Sequence, residues 1–343
     1  MKTRVAINGF GRIGRLFYRQ VAARDDLEVV AVNDLGDLEN LAYLLKYDSV
    51  YGTFRGAIKV DKAAGTITVD GQVTKVLQVK DPAQLPWGAL QIDIVIEATG
   101  LYESFEKAKV HLNAGAKHVV LTAPAKDDEG VAGGKTILMG VNDAVLSTCA
   151  ISSNASCTTN SAASVMQILS ENPGIEKAML STVHAMTTTQ SIVDSPVKGG
   201  NDFRRGRASS QNIVPSATGA AIAVTRAVPA LEHKFDGIAF RIPTVAGSLS
   251  DITFVSKRRT SVEEINDILI HASGEERWKG ILKVTRDQVV SSDILGEPYG
   301  AIVDLSFTKV VDGNLVKVLS WYDNEWGYTA TLVRHVIEAA KHL

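Results

Sequence analysis

The sequence predicts an α/β fold that opens on a parallel sheet, and three observations carry that expectation. A short apolar strand, Val5-Ala6-Ile7-Asn8, runs directly into Gly9-Phe10-Gly11-Arg12-Ile13-Gly14, with Leu16-Phe17 and Val21-Ala22-Ala23 following at helical spacing. A second strand, Leu27 to Val32, ends in Asn33-Asp34. Ile92-Asp93-Ile94-Val95-Ile96 is almost wholly apolar, the composition of a strand buried in a parallel sheet.

A glycine triplet alone is weak evidence, because it often marks only a tight turn. Here it has a strand before it and a helix after it, the context in which glycines let a pyrophosphate approach a helix N-terminus. Asp34 lies some twenty residues past Gly14, where a carboxylate binds the adenosine ribose hydroxyls and repels a 2′-phosphate. The first half is therefore read as a Rossmann-type dinucleotide-binding domain that prefers NAD to NADP. Lys59-Val60, Thr66 to Val69 and Val73 to Val76 are short strands, with Asp70-Gly71 as a hairpin turn. Thr99-Gly100, after the apolar strand, should face the cofactor crevice. A helix over 104–114 leads to the strand His118 to Leu121, closed by Thr122-Ala123-Pro124 at the same edge. The polar loop Lys126 to Gly130 has no assigned function.

Composition narrows the function classes. A chain of 343 residues is long enough for two domains, and 45% apolar with 22% charged residues is ordinary for a soluble globular protein. The net charge of −2 carries no footprint for nucleic acid, and no apolar run is long enough to span a membrane. The N-terminus enters a strand almost at once, without a signal-peptide pattern. Two cysteines make no disulfide framework, and no Cys/His cluster has zinc spacing. A cytoplasmic, metal-independent protein is expected.

The second half is organised around Ser152-Ser153-Asn154-Ala155-Ser156-Cys157-Thr158-Thr159-Asn160. It joins the β-like run Cys149-Ala150-Ile151 to an amphipathic helix carrying Ala162, Val165, Met166, Ile168 and Leu169. Cys157 then falls in the first helical turn, where free N–H groups and the helix dipole favour a thiolate. The window is read equally well as a small buried cysteine beside N-capping hydroxyls, and does not separate the two. Ala178 to Val183 is a strand running into His184, with the polar Thr187-Thr188-Thr189-Gln190 just beyond. That strand end is a suitable place for a base paired with the thiol. The other histidines (His111, His118, His233, His271, His335, His342) have no nucleophile in an evident partnering motif.

Residues 194–212 form a long polar segment whose arginines either bind phosphate or are simply solvated. Pro215 to Ala221 is read as opening a helix, with Thr218 and Gly219 forming a small anion site. Ile238 to Pro243 is read as a mostly buried strand whose Arg241 requires an acidic partner or a ligand anion. Lys257-Arg258-Arg259 is read as solvated. The strand Val316 to Tyr322 precedes a last amphipathic helix (Leu332, Val333, Val336, Ile337, Ala340) expected to pack on the first domain.

Taken together, Asn8 to Gly14, Leu45-Lys46-Tyr47-Asp48-Ser49, Ser153 to Asn160, Thr182-Val183-His184-Ala185, Thr218 to Ala221 and Trp321-Tyr322-Asp323-Asn324-Glu325 resemble the phosphorylating glyceraldehyde-3-phosphate dehydrogenases over essentially the whole chain. The resemblance implies an NAD-binding Rossmann domain over 1–153 and 325–343. It also implies an α+β catalytic domain with a mostly antiparallel sheet over 154–324. The implied reaction is oxidative phosphorylation of glyceraldehyde 3-phosphate to 1,3-bisphosphoglycerate in glycolysis or gluconeogenesis, by a cytoplasmic homotetramer. Cys157 is the implied nucleophile and His184 its base. Thr187, Arg205 and Arg241 are implied to hold the substrate phosphate, and Ser156, Thr158, Thr218 and Gly219 the attacking inorganic phosphate. The implied cofactor residues are Gly9, Gly11, Arg12, Ile13, Gly14, Asp34, Lys80, Thr99 and Thr122, with Asn324 orienting the nicotinamide carboxamide.

The chain departs from the family pattern at three places. Ser161 stands where a cysteine is frequent, Lys80 replaces a usual arginine near the adenine, and the 196–204 loop is slightly longer. The nearest alternative is erythrose-4-phosphate dehydrogenase, against which Thr187 counts. An NADP-preferring variant is disfavoured by Asp34 and Pro196. A catalytically silent NAD-binding or redox-sensing paralogue is disfavoured by the presence of Cys157, His184 and Arg241.

Overall fold

The structure, a computed structural model, describes residues 2–197 and 201–343. The chain forms two compact units, Met1–Ala155 with Thr329–Leu343, and Ser156–Tyr328.

The first unit contains β1 (Thr3–Asn8), α1 (Arg12–Val21), β2 (Leu27–Asn33), α2 (Leu38–Lys46), β3 (Ile58–Asp61), β4 (Thr66–Val69), β5 (Gln72–Leu77), β6 (Ile94–Glu97), α3 (Phe105–Asn113), β7 (His118–Leu121), β8 (Lys135–Thr136) and β9 (Ile151–Ser153). Among the described residues its sheet runs β3-β4-β5-β2-β1-β6-β7-β9-β8. Every pairing from β5 to β8 is parallel, and β3, β4 and β5 add an antiparallel edge. Since β2 and β6 flank β1 on opposite sides, the chain reverses direction across the sheet there, and a crevice opens at the strands' carboxyl ends. Gly9 and Gly14 make this turn possible. Gly9 has φ +97°, and a Cβ on it would lie 2.6 Å from the Ala98 carbonyl carbon; one on Gly14 would lie 2.3 Å from the Gly9 oxygen. Apolar residues of β1, β2 and α1 form the core with Leu332, Val333 and Val336 of the returning C-terminal helix.

The second unit contains α4 (Cys157–Glu171), β10 (Ile175–Ala185), β11 (Val214–Ala217), α5 (Ala220–Ala227), β12 (Phe235–Ile242), β13 (Ser248–Ser256), α6 (Val262–Ser273), β14 (Leu282–Thr285), β15 (Ala301–Val311) and β16 (Leu315–Tyr322). Helix α7 (Trp326–Ala340) carries the chain back to the first unit. The second sheet runs β11-β12-β10-β13-β16-β15-β14 among the described residues. It is mostly antiparallel, with β10–β12 and β14–β15 parallel.

Three local readings change. The strand before the nucleophile turn is Ile151–Ser153, because the Cys149 N–H is tied to the Leu146 carbonyl at the end of a 3-10 turn. Pro215 to Ala217 is not a helix start but the edge strand β11, where a proline's missing N–H is tolerated, and α5 begins at Ala220. Strand β12 is only partly buried, with Ile238 45% exposed, because one face of this sheet edge is left uncovered. The cationic run at Lys257 is exposed as read, with Arg258 paired to Glu264. Residues 198–200 of the 196–204 loop lie outside the described residues.

His118 and His335 hold a buried polar chain that the sequence does not reveal. His118 Nε2 and His335 Nε2 each lie 2.8 Å from Ser152 Oγ, and His335 Nδ1 lies 3.1 Å from Asn154 Oδ1. Asn154 Nδ2 in turn donates to Thr331 Oγ1, which orients the amide oxygen toward His335 Nδ1–H. His335 Nε2 is then an acceptor for Ser152, and Ser152 accepts from His118. Burial pushes His118 down from 6.5 to about 4 and His335 from 6.5 to about 3. Their folded pKa values lie below the unfolded ones, so the unfolded chain binds more protons between those limits. The associated stability is present above pH 6.5 and is lost as pH falls toward 4 and below. Each histidine contributes a slope of at most about 1.4 kcal/mol per pH unit in that window. Thermal unfolding followed from pH 7 down to 4 should therefore be less acid-sensitive in His335→Gln than in the parent; parallel curves would contradict this assignment.

Candidate active site

Cys157 is the first residue of α4, and the turn before it is built to put it there. Ala155 sits at φ +52°, a left-handed conformation that costs an alanine roughly 1 kcal/mol. Ser156 then caps the helix, its Oγ accepting from Thr159 N–H at 3.1 Å. The Cys157 sulfur faces His184 Nε2 at 3.4 Å. Strands β10 and β12 run parallel with His184 directly opposite Arg241, so their side chains share one side of the sheet. Arg241 Nη1 lies 2.7 Å from His184 Nδ1, and the Ala185 carbonyl oxygen lies 2.7 Å from the same nitrogen. Thiol, imidazole and guanidinium are thus successive neighbours.

Burial shapes the charges in this line. It raises the Cys157 thiol above its ordinary pKa, against the opposing pull of Arg241 and of hydrogen bonds from the first helical turn. Burial, and then the Arg241 charge, pushes His184 down from 6.5 to about 3. At Cys157 the helix terminus and Arg241 favour a thiolate, and burial opposes them. Arg241 is itself lowered, chiefly by burial, with Arg205 adding like-charge repulsion. Arg241 Nε is buried without a hydrogen-bond partner. Two guanidiniums that disfavour one another, one of them incompletely satisfied, form a site suited to an anion.

The other phosphate candidates divide. Arg205 reaches toward the Ala217 carbonyl at 3.4 Å, and Thr187 Oγ1 is 3.0 Å from Thr189 Oγ1. Thr218 Oγ1 accepts from Ala220 N–H at 3.2 Å, while Gly219, the residue before α5, is exposed. The hydroxyls of Ser156 and Thr158 are already engaged. Ser156 caps α4, and Thr158, buried at 3% exposure, lies 2.8 Å from the Tyr322 hydroxyl. Tyr322 also meets Thr182 at 2.7 Å and sets its ring edge-on to His184 at 6.0 Å. Tyr322 lies within a motif quoted above without a role; its alternation along β16 with the half-buried Trp321 was the available signal. Asn324 is oriented by Gly247 N–H and Ser248 Oγ–H, which both donate to its Oδ1.

In the first unit the dinucleotide candidates gather at the carboxyl edge of the parallel sheet. The Cβ position of Gly11 has nothing within 4 Å, the open approach to the start of α1 that a pyrophosphate requires. Asp34 accepts from Phe10 N–H at 2.7 Å and from Gly36 N–H at 2.9 Å, fixing the carboxylate against the glycine turn. Its remaining lone pairs suit the ribose hydroxyls. Arg12 is held by Asp48 at 2.6 Å, and Ile13 is half-buried beside it. Thr99 and Thr122 both hydrogen-bond Glu97, Thr122 Oγ1 donating to its carbonyl at 3.0 Å. Lys80 is exposed, which gives its assignment to the cofactor no support from packing.

Comparison with known proteins agrees with both units. Residues 3–105 match the family model for the NAD binding domain of glyceraldehyde 3-phosphate dehydrogenase, and residues 156–324 match that for its C-terminal domain. The chain belongs to the glyceraldehyde-3-phosphate dehydrogenase family. It is similar to the glyceraldehyde-3-phosphate dehydrogenase of Streptomyces coelicolor, 46% identical over 336 residues and 97% of each chain. Those of Clostridium pasteurianum and Mycobacterium avium are each 46% identical, over 99% and 100% of both chains.

Two thiols make this family's chemistry easy to localise. Cys149 is free and half-buried, and burial raises it to about 11. Iodoacetamide at neutral pH should label Cys157, beside its imidazole, well ahead of Cys149, as read by peptide mass mapping. Preferential labelling of Cys149 would contradict the assignment of the nucleophile.

Proposed function

We propose that this chain oxidises glyceraldehyde 3-phosphate to an acyl phosphate with NAD and inorganic phosphate. The observation that carries the reading is the Cys157–His184 contact of 3.4 Å, with Arg241 opposite His184 on the neighbouring strand. Cys157 Sγ adds to the aldehyde carbon, and the thiol proton passes through His184 Nε2 to the new hydroxyl. The Cys157 backbone N–H and the His184 ring hold the developing oxyanion. NAD, when bound, supplies the acceptor for the hydride that leaves this carbon. His184 takes the hydroxyl proton in the same step, leaving a thioester on Cys157. An inorganic phosphate oxygen then attacks the thioester carbon; the C–S bond breaks, the acyl phosphate departs and the sulfur is regenerated.

Gly9, Gly11, Gly14 and the start of α1 are assigned to the pyrophosphate, Asp34 to the ribose and Asn324 to the nicotinamide carboxamide. Arg12, Ile13, Thr99 and Thr122 border that site. Arg205, Arg241 and Thr187 are assigned to the substrate phosphate, and Thr218 and Gly219 to the attacking one, with Ser156 and Thr158 acting through the helix turn they stabilise. We place the enzyme in the cytoplasm as a homotetramer. Exposed Met179, Ile222, Ile238 and Leu315 on the second unit support self-association. Among the described residues no helix is long and apolar enough to cross a membrane.

Steady NADH formation from glyceraldehyde 3-phosphate should require inorganic phosphate and vanish, by at least about a thousandfold, in Cys157→Ser. Faster turnover on erythrose 4-phosphate would move the substrate assignment to the tetrose. A monomer in sedimentation velocity at micromolar concentration would contradict the oligomer.

A further inference from the structure

A second buried polar chain runs through the first unit, and its members stand just before the elements assigned to the dinucleotide. Strands β2, β1 and β6 lie side by side and end on Asn33, Asn8 and Glu97, which the parallel register sets opposite one another. Asn8 precedes the Gly9 turn, Asn33 precedes Asp34, and Glu97 lies two residues before Thr99. Asn33 Nδ2 donates to Asn8 Oδ1 at 2.7 Å, and Asn33 Oδ1 accepts from Val79 N–H at 2.9 Å. Asn8 Nδ2 donates to Glu97 Oε2 at 2.7 Å. From the other side, His111 Nε2 lies 3.0 Å from that oxygen, and Trp87 Nε1 lies 3.1 Å from His111 Nδ1. Thr99 uses Glu97 Oε1, through its N–H at 2.9 Å and through its hydroxyl. Asn8, Glu97, Trp87 and His111 are each at most 4% exposed.

Donor chemistry fixes the direction of these links. An indole N–H can only donate, so His111 Nδ1 accepts and the ring's proton sits on Nε2, aimed at Glu97. The Val79 N–H also can only donate, which turns Asn33 Oδ1 toward it and Asn33 Nδ2 toward Asn8. Asn8 Nδ2 is then left for Glu97. Donors therefore reach the carboxylate from both ends of the chain and from Thr99, and Glu97 is the acceptor on which all of them converge. A buried donor left unpaired is costly, so a carboxylate here holds the chain in one arrangement. The crevice is tied to that arrangement at several points. Gly9 N–H donates to the Asn33 carbonyl at 2.8 Å, and a Cβ on Gly9 would lie 2.6 Å from the Thr99 nitrogen, so the glycine turn rests directly on the Thr99 segment.

We propose that Glu97 is a positioning residue for the dinucleotide: through Asn8, Asn33 and Thr99 its carboxylate holds the glycine turn, Asp34 and the crevice wall in their binding arrangement before NAD arrives. The inference rests on the NAD assignment above and adds the group that presets it. Because the turn is ordered by the fold, NAD binding does not carry the entropy cost of ordering it.

Glu97→Gln keeps the side chain's shape but places an amide N–H against either Thr99 N–H or the Asn8 and His111 donors. Calorimetric titration should show the Kd for NAD rising at least roughly tenfold, and in turnover the loss should fall on the KM for NAD rather than on kcat. Asn8→Asp, which sets two carboxylates against each other, should weaken NAD binding further. In the double variant E97Q/N8D the link re-forms with its polarity reversed, and NAD should bind at least about threefold more tightly than to N8D alone. An unchanged Kd in E97Q, or losses that simply multiply in the double variant, would overturn the proposal. Hydrogen exchange of the NAD-free parent protein decides the matter even if these variants do not fold. The amides of Val79 and Thr99, although outside the strands, should be protected nearly as well as those of β1. Fast exchange at both that slows only when NAD is added would show that the cofactor orders the crevice, and would overturn the proposal. Absence of any NAD binding to the parent protein would instead reject the cofactor assignment itself.

Discussion

The parallel register of β10 and β12 is the constraint on which the reactive centre depends. It places His184 opposite Arg241 and leaves the imidazole between a guanidinium and the Cys157 sulfur. A slip of one residue would turn His184 to the other face of the sheet and remove the base altogether. The same strand supplies the Ala185 carbonyl that competes for Nδ1, and the Ala185 N–H that donates to Ser248 Oγ at 3.0 Å. Ser248 in turn donates to Asn324, so one strand end connects the base to the residue assigned to the nicotinamide carboxamide.

Electrostatics at this centre are decided by burial. A helix N-terminus favours a thiolate, while desolvation of the half-buried Cys157 beside the His184 imidazole opposes it. Arg241, lowered chiefly by burial and repelled by Arg205, adds positive charge beside this pair. The buried Arg241 Nε without a hydrogen-bond partner and the neighbouring Arg205 make this part of the site suited to an anion.

Much of the architecture was legible in the residues. The glycine turn, Asp34 and the apolar β6 required a parallel sheet with its crevice at β1, and Ser156 marked the start of the helix that carries Cys157. The strand carrying His184 was legible too, although β10 runs from Ile175 to Ala185, beyond the span read from the sequence. What escaped were features set by tertiary pairing. Pro215 looked like a helix opening because edge-strand membership depends on a distant partner, β12. His118 and His335 looked unexceptional because their link through Ser152 joins residues nearly two hundred positions apart. Tyr322 was visible only as one member of a motif, since its contacts with Thr158 and Thr182 come from three separate elements.

Intact-protein mass spectrometry of the NAD-loaded enzyme mixed with glyceraldehyde 3-phosphate, without inorganic phosphate, tests the central claim most directly. The account predicts one acyl adduct per chain, mapped to Cys157 and discharged when phosphate is added. No adduct, or an adduct on Cys149, would contradict it.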